Sequence, residues 1–250
     1  MFDNRIHLVD ELQQEINKHR PLSREILKQL KEYYKIGLTY TSNALEGNSL
    51  TETETKIVLE EGITIGGKPV RDHFEALGAG EAYDFLYKLS KQEIITEKDI
   101  KNLHYLFYYR IDIKNAGKYR KKPAIITGVD VELPAPAEIS GLMKKFAEAI
   151  PEFGKKYHPV EYAALLHIKL VNIHPFADGN GRTARLLMNL ALLQAGYEIT
   201  IIPPAVRSEY LDALKSTNKG NNAPFINLIS NMVYESQQDY LRLIRVLSKK

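Results

Sequence analysis

The stretch Asn172-Ile173-His174-Pro175-Phe176-Ala177-Asp178-Gly179-Asn180-Gly181-Arg182-Thr183-Ala184-Arg185 decides how the rest of the chain is read. Pro175 disfavours the α conformation for His174, so a helix arriving from the N-terminal side ends there and leaves the imidazole at a helix–loop junction. Asp178, Gly179, Asn180 and Gly181 then make a tight, glycine-rich turn. A second amphipathic helix starts directly after it, with Leu186, Leu187, Leu190 and Leu193 on its buried side. A glycine-rich turn feeding a helix N-terminus offers free backbone N–H groups and the positive end of the helix dipole, which suits an anion. Arg182 and Arg185 are three residues apart and share a helix face. The dipole disfavours cations at that end, so the pair calls for an acidic partner. Asp178 adds a hard oxygen of the kind Mg²⁺ takes alongside phosphates and water. With an ordinary pKa of about 6.5, His174 suits a general base near neutral pH. These groups together are the equipment of nucleotidyl transfer.

Outward from this stretch the chain reads as mainly helical. Apolar residues recur at spacings of three and four at Ile6, Val9, Leu12 and Ile16, and again at Leu27, Leu30 and Tyr34 after a break at 21–23. Ser49 and Glu52 read as a capping box that opens a short helix ending near residue 59. Further helices are expected over about 73–90, 97–109, 137–150, 159–173, 181–194, 207–216 and 223–247. The segment AIITGVDVEL, between Pro123 and Pro134, is rich in β-branched residues around Gly128 and predicts a β-hairpin. A lone hairpin is marginal in water, so it leans on the helical body or completes itself with a partner.

The 250 residues suffice for one large core, and the composition, 44% hydrophobic and 26% charged, is that of an ordinary globular protein. A net charge of +3 from 34 basic and 31 acidic residues lacks the basic excess of a nucleic-acid binder. There is no cysteine, which excludes disulfides, thiolate nucleophiles and Cys-ligated zinc. No stretch approaches the ~18 apolar residues of a membrane span, and the charged N-terminus lacks a secretory h-region. The expectation is a cytoplasmic protein that engages neither membrane nor nucleic acid.

Residues 174–182, HPFADGNGR, resemble the full signature of Fic domains, H-P-F-x-[D/E]-G-N-G-R, and Thr183-Ala184-Arg185 continue the match. The resemblance extends over roughly 43–247. It implies a single helical Fic-type domain with a β-hairpin flap over the active site. Residues 1–40 would be an N-terminal helical extension, and 41–250 the core, with the signature loop at 174–185. It implies a protein adenylyltransferase that moves AMP from Mg·ATP to a Ser, Thr or Tyr hydroxyl. His174 would be the catalytic base and Asp178 the Mg²⁺ ligand. Gly179, Asn180 (including its amide), Gly181, Arg182 and Arg185 would bind the phosphates, with Arg185 on the γ-phosphate. Tyr210 and Asn218, in YLDALKSTNKGNNAPF, resemble the adenine side. Gly181 favours nucleotidyl transfer over the kinase-like Doc subgroup, which carries Lys there. Removal of AMP by the same site, and an ATP-binding regulatory module without catalysis, are the alternatives.

Ser42-Asn43-Ala44-Leu45-Glu46-Gly47 resembles the family's inhibitory motif, [S/T]-x-x-x-E-[G/N], in its N-terminal class. It implies that Glu46 pairs with Arg185 and takes the partner meant for the γ-phosphate. Residues 118–134 resemble the Fic flap, whose strand edge at Ile125, Ile126 and Thr127 would receive an extended segment of the target protein through main-chain hydrogen bonds. Lys118, Arg120, Lys121 and Lys122 either favour acidic targets or keep that edge soluble. A homodimer and self-modification are compatible with this reading. GITIGGK at 62–68 begins like a P-loop, but Pro69 stands where the Mg²⁺-binding hydroxyl should be. The sequence from Asp178 fails as a calcium loop, with Thr183 and Asn189 at the positions that need Gly and Glu. The other six histidines show no metal-ligand spacing, and Phe176 is expected to pack in the core.

Overall fold

The computed structural model describes residues 2–125 and 132–249. Among these residues the elements are ten α-helices and one 3-10 turn, Pro204–Val206, with no β-strand. The helices are α1 (Ile6–Lys18), α2 (Arg24–Ala44), α3 (Glu52–Glu60), α4 (Val70–Leu89), α5 (Glu97–Tyr108), α6 (Pro136–Lys156), α7 (Pro159–Ile173), α8 (Asn180–Gln194), α9 (Arg207–Thr217) and α10 (Ala223–Leu247). The expected hairpin falls largely on residues 126–131, including Ile126 and Thr127, and so lies outside the described residues. Ile125, just before them, is 91% exposed.

The centre of the molecule is the α7–α8 pair, joined by the loop 174–179 and making the most extensive helix–helix contact. Helix α8 buries nearly its whole circumference, from Asn180 through Leu192. A helix surrounded in this way must satisfy its polar residues internally. Asn189 does so by bridging Arg185 O and the backbone of Thr200, which pins the segment after α8. Around this pair, α4 packs on α5, α2 and α8, while α10 packs on α7, α9 and α1. Val9 and Ile16 of α1 join the same core as Phe225 and Ile244 of α10.

Local signals explain most boundaries. Ser23 caps α2 by accepting from Ile26 N. The capping box of α3 is Thr51 with Glu54, not Ser49 with Glu52. Ser49 is drawn away by Asp72 on α4, whose Oδ2 accepts from both Ser49 N and Ser49 Oγ at 2.7 and 2.6 Å. Helix α6 runs past the expected end at 150, through Pro151, to Lys156.

Candidate active site

His174 caps the C-terminus of α7 in the left-handed conformation, φ 50° and ψ 56°, with its N–H bonded to Leu170 O at 2.9 Å. A non-glycine residue in that region is strained by about 1–3 kcal/mol and needs its surroundings to hold it. Arg120 does the holding. Its Nε donates to His174 O at 2.8 Å, its Nη2 to Pro134 O at 2.6 Å, and its backbone N–H to Pro175 O at 2.9 Å. Arg120 is therefore buried and structural, unlike the exposed basic run in which the sequence places it. Burial, helped by the Arg120 charge, pushes the His174 imidazole below its ordinary 6.5 despite Glu46 and Asp178. The ring is thus neutral, as a proton acceptor requires.

Phe176 is fully buried and stacks on His104, with ring centroids 3.8 Å apart and planes 6° apart. His104 holds the loop from the other side, with Nε2 3.1 Å from Asp178 O and Nδ1 accepting from Gly117 N at 2.8 Å. Burial lowers its pKa to about 4, so it is a neutral packing group. Gly179 is the N-cap of α8 with φ 77°, and the N–H groups of the first turn, from Asn180 onward, have no carbonyl of their own helix to meet. The Asn180 side chain differs from the sequence reading, in which its amide faces phosphate. Its Oδ1 accepts from Phe176 N and its Nδ2 donates to Phe176 O, both at 2.9 Å, so it closes the loop and leaves its backbone N–H for an anion.

Asp178 is half-exposed. Its Oδ1 accepts from Gly179 N at 2.6 Å and its Oδ2 from Arg71 Nη2 at 2.6 Å. Burial works to raise its pKa, but Arg182, Arg71 and the Gly179 N–H outweigh it and hold the carboxyl below 3.8. Arg182 is buried with Nη1 2.8 Å from Glu75 Oε1, and its guanidinium lies 4.5 Å above the Phe107 ring. Glu75 also accepts from Arg71 Nε at 3.1 Å and from Asn48 Nδ2 at 2.9 Å. Arg71 and Glu75 belong to the site and are missing from the sequence reading. Their signal is a polar end on α4, where Asp72, His73 and Glu75 are all buried.

Arg185 is 2% exposed. Its Nε donates to Ser42 Oγ at 2.9 Å, Nη2 to Ser42 O at 2.7 Å and to Glu46 Oε1 at 2.8 Å, and Nη1 to Tyr210 OH at 3.1 Å. Burial disfavours an ionised Glu46, yet Arg185 and, more weakly, Arg182 keep its pKa below 4.5. Gly47, with φ 96°, turns the chain out of α2 directly after Glu46.

A cavity of about 400 Å³ collects His174, Gly181, Glu46, Tyr210 and Asn218, with Leu211, Leu214 and Val171 as an apolar wall. Leu133 and Pro134, just before α6, also border it. Asp178 and Arg182 do not line it and lie across the signature loop, while Arg185 sits behind Glu46. The cavity thus brings together an imidazole, a helix N-terminus and an apolar wall. An apolar wall beside a helix N-terminus suits a flat group that carries an anion.

Fold and loop together define a helical domain in which an imidazole, the N-terminus of a helix and the carboxylate partner of a buried arginine line one cavity. The Fic/DOC family model matches residues 94–192. A solved structure of Fic-1 from C. elegans superposes with a TM-score of 0.86 at 32% identity, covering 97% of this chain and 72% of that one. The chain belongs to the Fic/DOC family. A Fic domain containing signaling protein from Bacteroides thetaiotaomicron superposes with a TM-score of 0.87 at 29% identity, covering 95% of this chain and 97% of that one. Protein adenylyltransferase Fic of Drosophila willistoni is 39% identical over 204 residues, which are 81% of this chain and 41% of the relative. The chain thus spans about two fifths of the length of the first curated relatives it matches. No described helix is long and apolar enough to cross a membrane.

Proposed function

We propose that this chain is a protein adenylyltransferase that moves AMP from ATP to a hydroxyl of a target protein and is restrained by Glu46. The observation that carries the reading is that His174, the N-terminal turn of α8 at Gly181 and Glu46 line one cavity. His174 takes the proton of the target Ser, Thr or Tyr hydroxyl. The hydroxyl oxygen bonds to the α-phosphorus as the bond to the bridging oxygen breaks, and diphosphate leaves. The N–H groups of Asn180 and Gly181 and the Arg185 guanidinium receive the phosphate charge, and the cavity near Leu211 and Asn218 takes the base. Arg182 supplies positive charge beneath the loop and fixes Glu75.

The donor set at Asp178 fits Mg²⁺. It is one ionised, half-exposed carboxylate, and among the described residues no group of three or more His, Asp or Glu gathers as an all-protein cage. Mg²⁺ commonly takes one or two carboxylates and fills its shell with phosphate and water oxygens. Asp178 is the residue that would hold it, and the bound ion would neutralise phosphate charge.

Through Oε1 on Nη2, Glu46 takes one of the Arg185 donors that a phosphate needs, since an arginine fork recognises carboxylate and phosphate alike. A phosphate chain displaced by ~1 Å loses about 100-fold in rate. The target segment adds to the flap at Ile125, Ile126 and Thr127. Self-modification, a homodimer and a cytoplasmic setting belong to the same reading. Removal of AMP is a second reading, favoured by the ionised Glu46 carboxylate lining the cavity of His174, where it would orient a water.

The test is label transfer from α-³²P-ATP with Mg²⁺, with lysate protein as target. We expect Glu46→Gly to raise protein labelling at least tenfold and Glu46→Gly with His174→Ala to abolish it. Equal labelling by wild type and Glu46→Gly would reject the brake. No label from any form, with release of AMP from pre-modified protein by wild type alone, would select the second reading.

A further inference from the structure

Arginine carries five N–H donors, and those of Arg185 can be followed one by one. The Nε hydrogen goes to Ser42 Oγ, the two on Nη2 to Ser42 O and Glu46 Oε1, and one on Nη1 to Tyr210 OH. One Nη1 hydrogen is left over. Removal of Glu46 therefore frees a second, and the two free hydrogens sit on different nitrogens of the same fork. That is the arrangement that meets two oxygens of one phosphate. Gly181 marks the place: a β-carbon there would meet Glu46 Oε1 and, at 3.2 Å, Arg185 Nη1.

The fork keeps this aim only if the guanidinium does not turn. Both Ser42 contacts lie along its Nε–Nη2 edge and leave the Nη1 corner to be held from elsewhere. The Tyr210 hydroxyl holds the opposite corner, Nη1. It accepts from Arg185, so its own hydrogen is available, and His167 Nε2 lies 3.0 Å away to receive it. This fixes the imidazole as the neutral tautomer with its hydrogen on Nδ1. Tyr210 and His167 are both buried, His167 completely. Burial first, and then the Arg185 charge, keep the His167 pKa well below 6.5, so the acceptor nitrogen stays free.

His167 Nδ1 is buried and has no hydrogen-bond partner among the described residues. An orphaned buried donor costs stability. An apolar residue at this place in α7 would avoid that cost, as Leu165, Leu166 and Ile168 around it do. The imidazole is explained by the other nitrogen, which gives the tyrosine hydroxyl somewhere to point.

We infer that Tyr210, backed by His167, is a positioning residue: it locks the Arg185 fork so that its two hydrogens left free once Glu46 withdraws face phosphate without reordering. The inference rests on the proposed contact between Arg185 and the γ-phosphate. It also separates Tyr210 from the adenine-side role that the sequence suggests, because a positioning residue for Arg185 affects only nucleotides that carry the outer phosphates.

The test is calorimetric binding to the full chain carrying Glu46→Gly, with Mg²⁺, of AMP and of the β,γ-imido analogue of ATP. The readout is the affinity ratio of the analogue over AMP. Tyr210→Phe keeps the ring and removes only the hydroxyl; we expect it to lower the ratio about tenfold and to leave AMP affinity unchanged. His167→Leu should lower the ratio several-fold, and His167→Gln, which restores an acceptor near the Nε2 position, should bring it back. Arg185→Ala tests the underlying reading. A ratio that collapses in Arg185→Ala but is unchanged in Tyr210→Phe overturns the positioning role alone. A ratio unchanged in both overturns the γ-phosphate contact on which it rests. Equal loss of AMP and analogue affinity in Tyr210→Phe overturns the inference in favour of an adenine-side or purely structural role.

Discussion

At the scale of single residues, His174 is the group whose state matters most, and its environment sets the direction of a pH effect. Burial lowers its pKa, the Arg120 charge lowers it further, and Glu46 and Asp178 work the other way. A base must be neutral to accept a proton, so activity persists as pH falls from 8 and is lost only below the ordinary 6.5. Removing the Glu46 carboxylate removes one raising influence. We therefore expect the acid limb of kcat/KM for Glu46→Gly, which reports the free enzyme, to have its midpoint below 6.5. In NMR titrations the His174 ring should titrate lower in Glu46→Gly than in wild type. A midpoint above 6.5, or a ring that titrates higher once Glu46 is gone, would mean that desolvation does not govern this imidazole.

At the scale of elements, the legibility of the chain divides cleanly. Periodic apolar residues and Pro175 locate α7, the loop and α8, because those signals are local. The α3 cap was not legible, since the choice between Ser49 and Thr51 is made by Asp72, a residue on another helix. The roles of Arg120 and Glu75 were hidden for the same reason: in sequence each is one charge among several, and only packing shows which charge is buried. The α4–α5 contact gives this a measurable form. Gly78 sits inside α4, where Gly→Ala ordinarily stabilises a helix by about 1 kcal/mol. Here a β-carbon would lie 2.5 Å from Phe107 O and 3.0 Å from Leu106 O, both backbone atoms that cannot swing aside. The sign should reverse. We expect Gly78→Ala to destabilise by about 1–3 kcal/mol, the usual range for overpacking, in urea melts. Because Phe107 lies under Arg182, affinity for the ATP analogue should weaken in parallel. A Gly78→Ala protein as stable as wild type or more so would show that α4 and α5 do not need this close approach.

At the scale of the whole molecule, one core runs from α1 to α10, and the chain closes where the segment between α1 and α2 meets the segment after α8. Arg20 Nη2 there donates to Gly196 O and to Glu198 Oε1, both at 2.8 Å. Glu198 is buried, and among the described residues its Oε2 has no hydrogen-bond partner. Burial raises its pKa to about 7 despite Arg20. A carboxyl whose pKa is raised on folding binds more protons in the folded state than in the unfolded one between its two pKa values. Its contribution to stability is fully present below the unfolded 4.5 and is lost as pH rises through about 7. The window lies above the range where Asp178 and Glu46, held below 3.8 and 4.5, begin to protonate, but His104, His167 and His174, all held below 6.5, oppose it as pH falls, so the Glu198 contribution is read as a difference from a variant that shares those histidines. A shift of this size corresponds to about 3 kcal/mol at most. We expect the unfolding free energy of wild type relative to Glu198→Gln, which is neutral throughout, to rise between pH 8 and pH 5 in urea melts. At pH 8 the variant should be the more stable protein, and at pH 5 the two should converge. If Glu198→Gln is instead the less stable at pH 8, the ion pair with Arg20 outweighs the desolvation of the carboxylate, and the closure of the chain is held by charge rather than burdened by it.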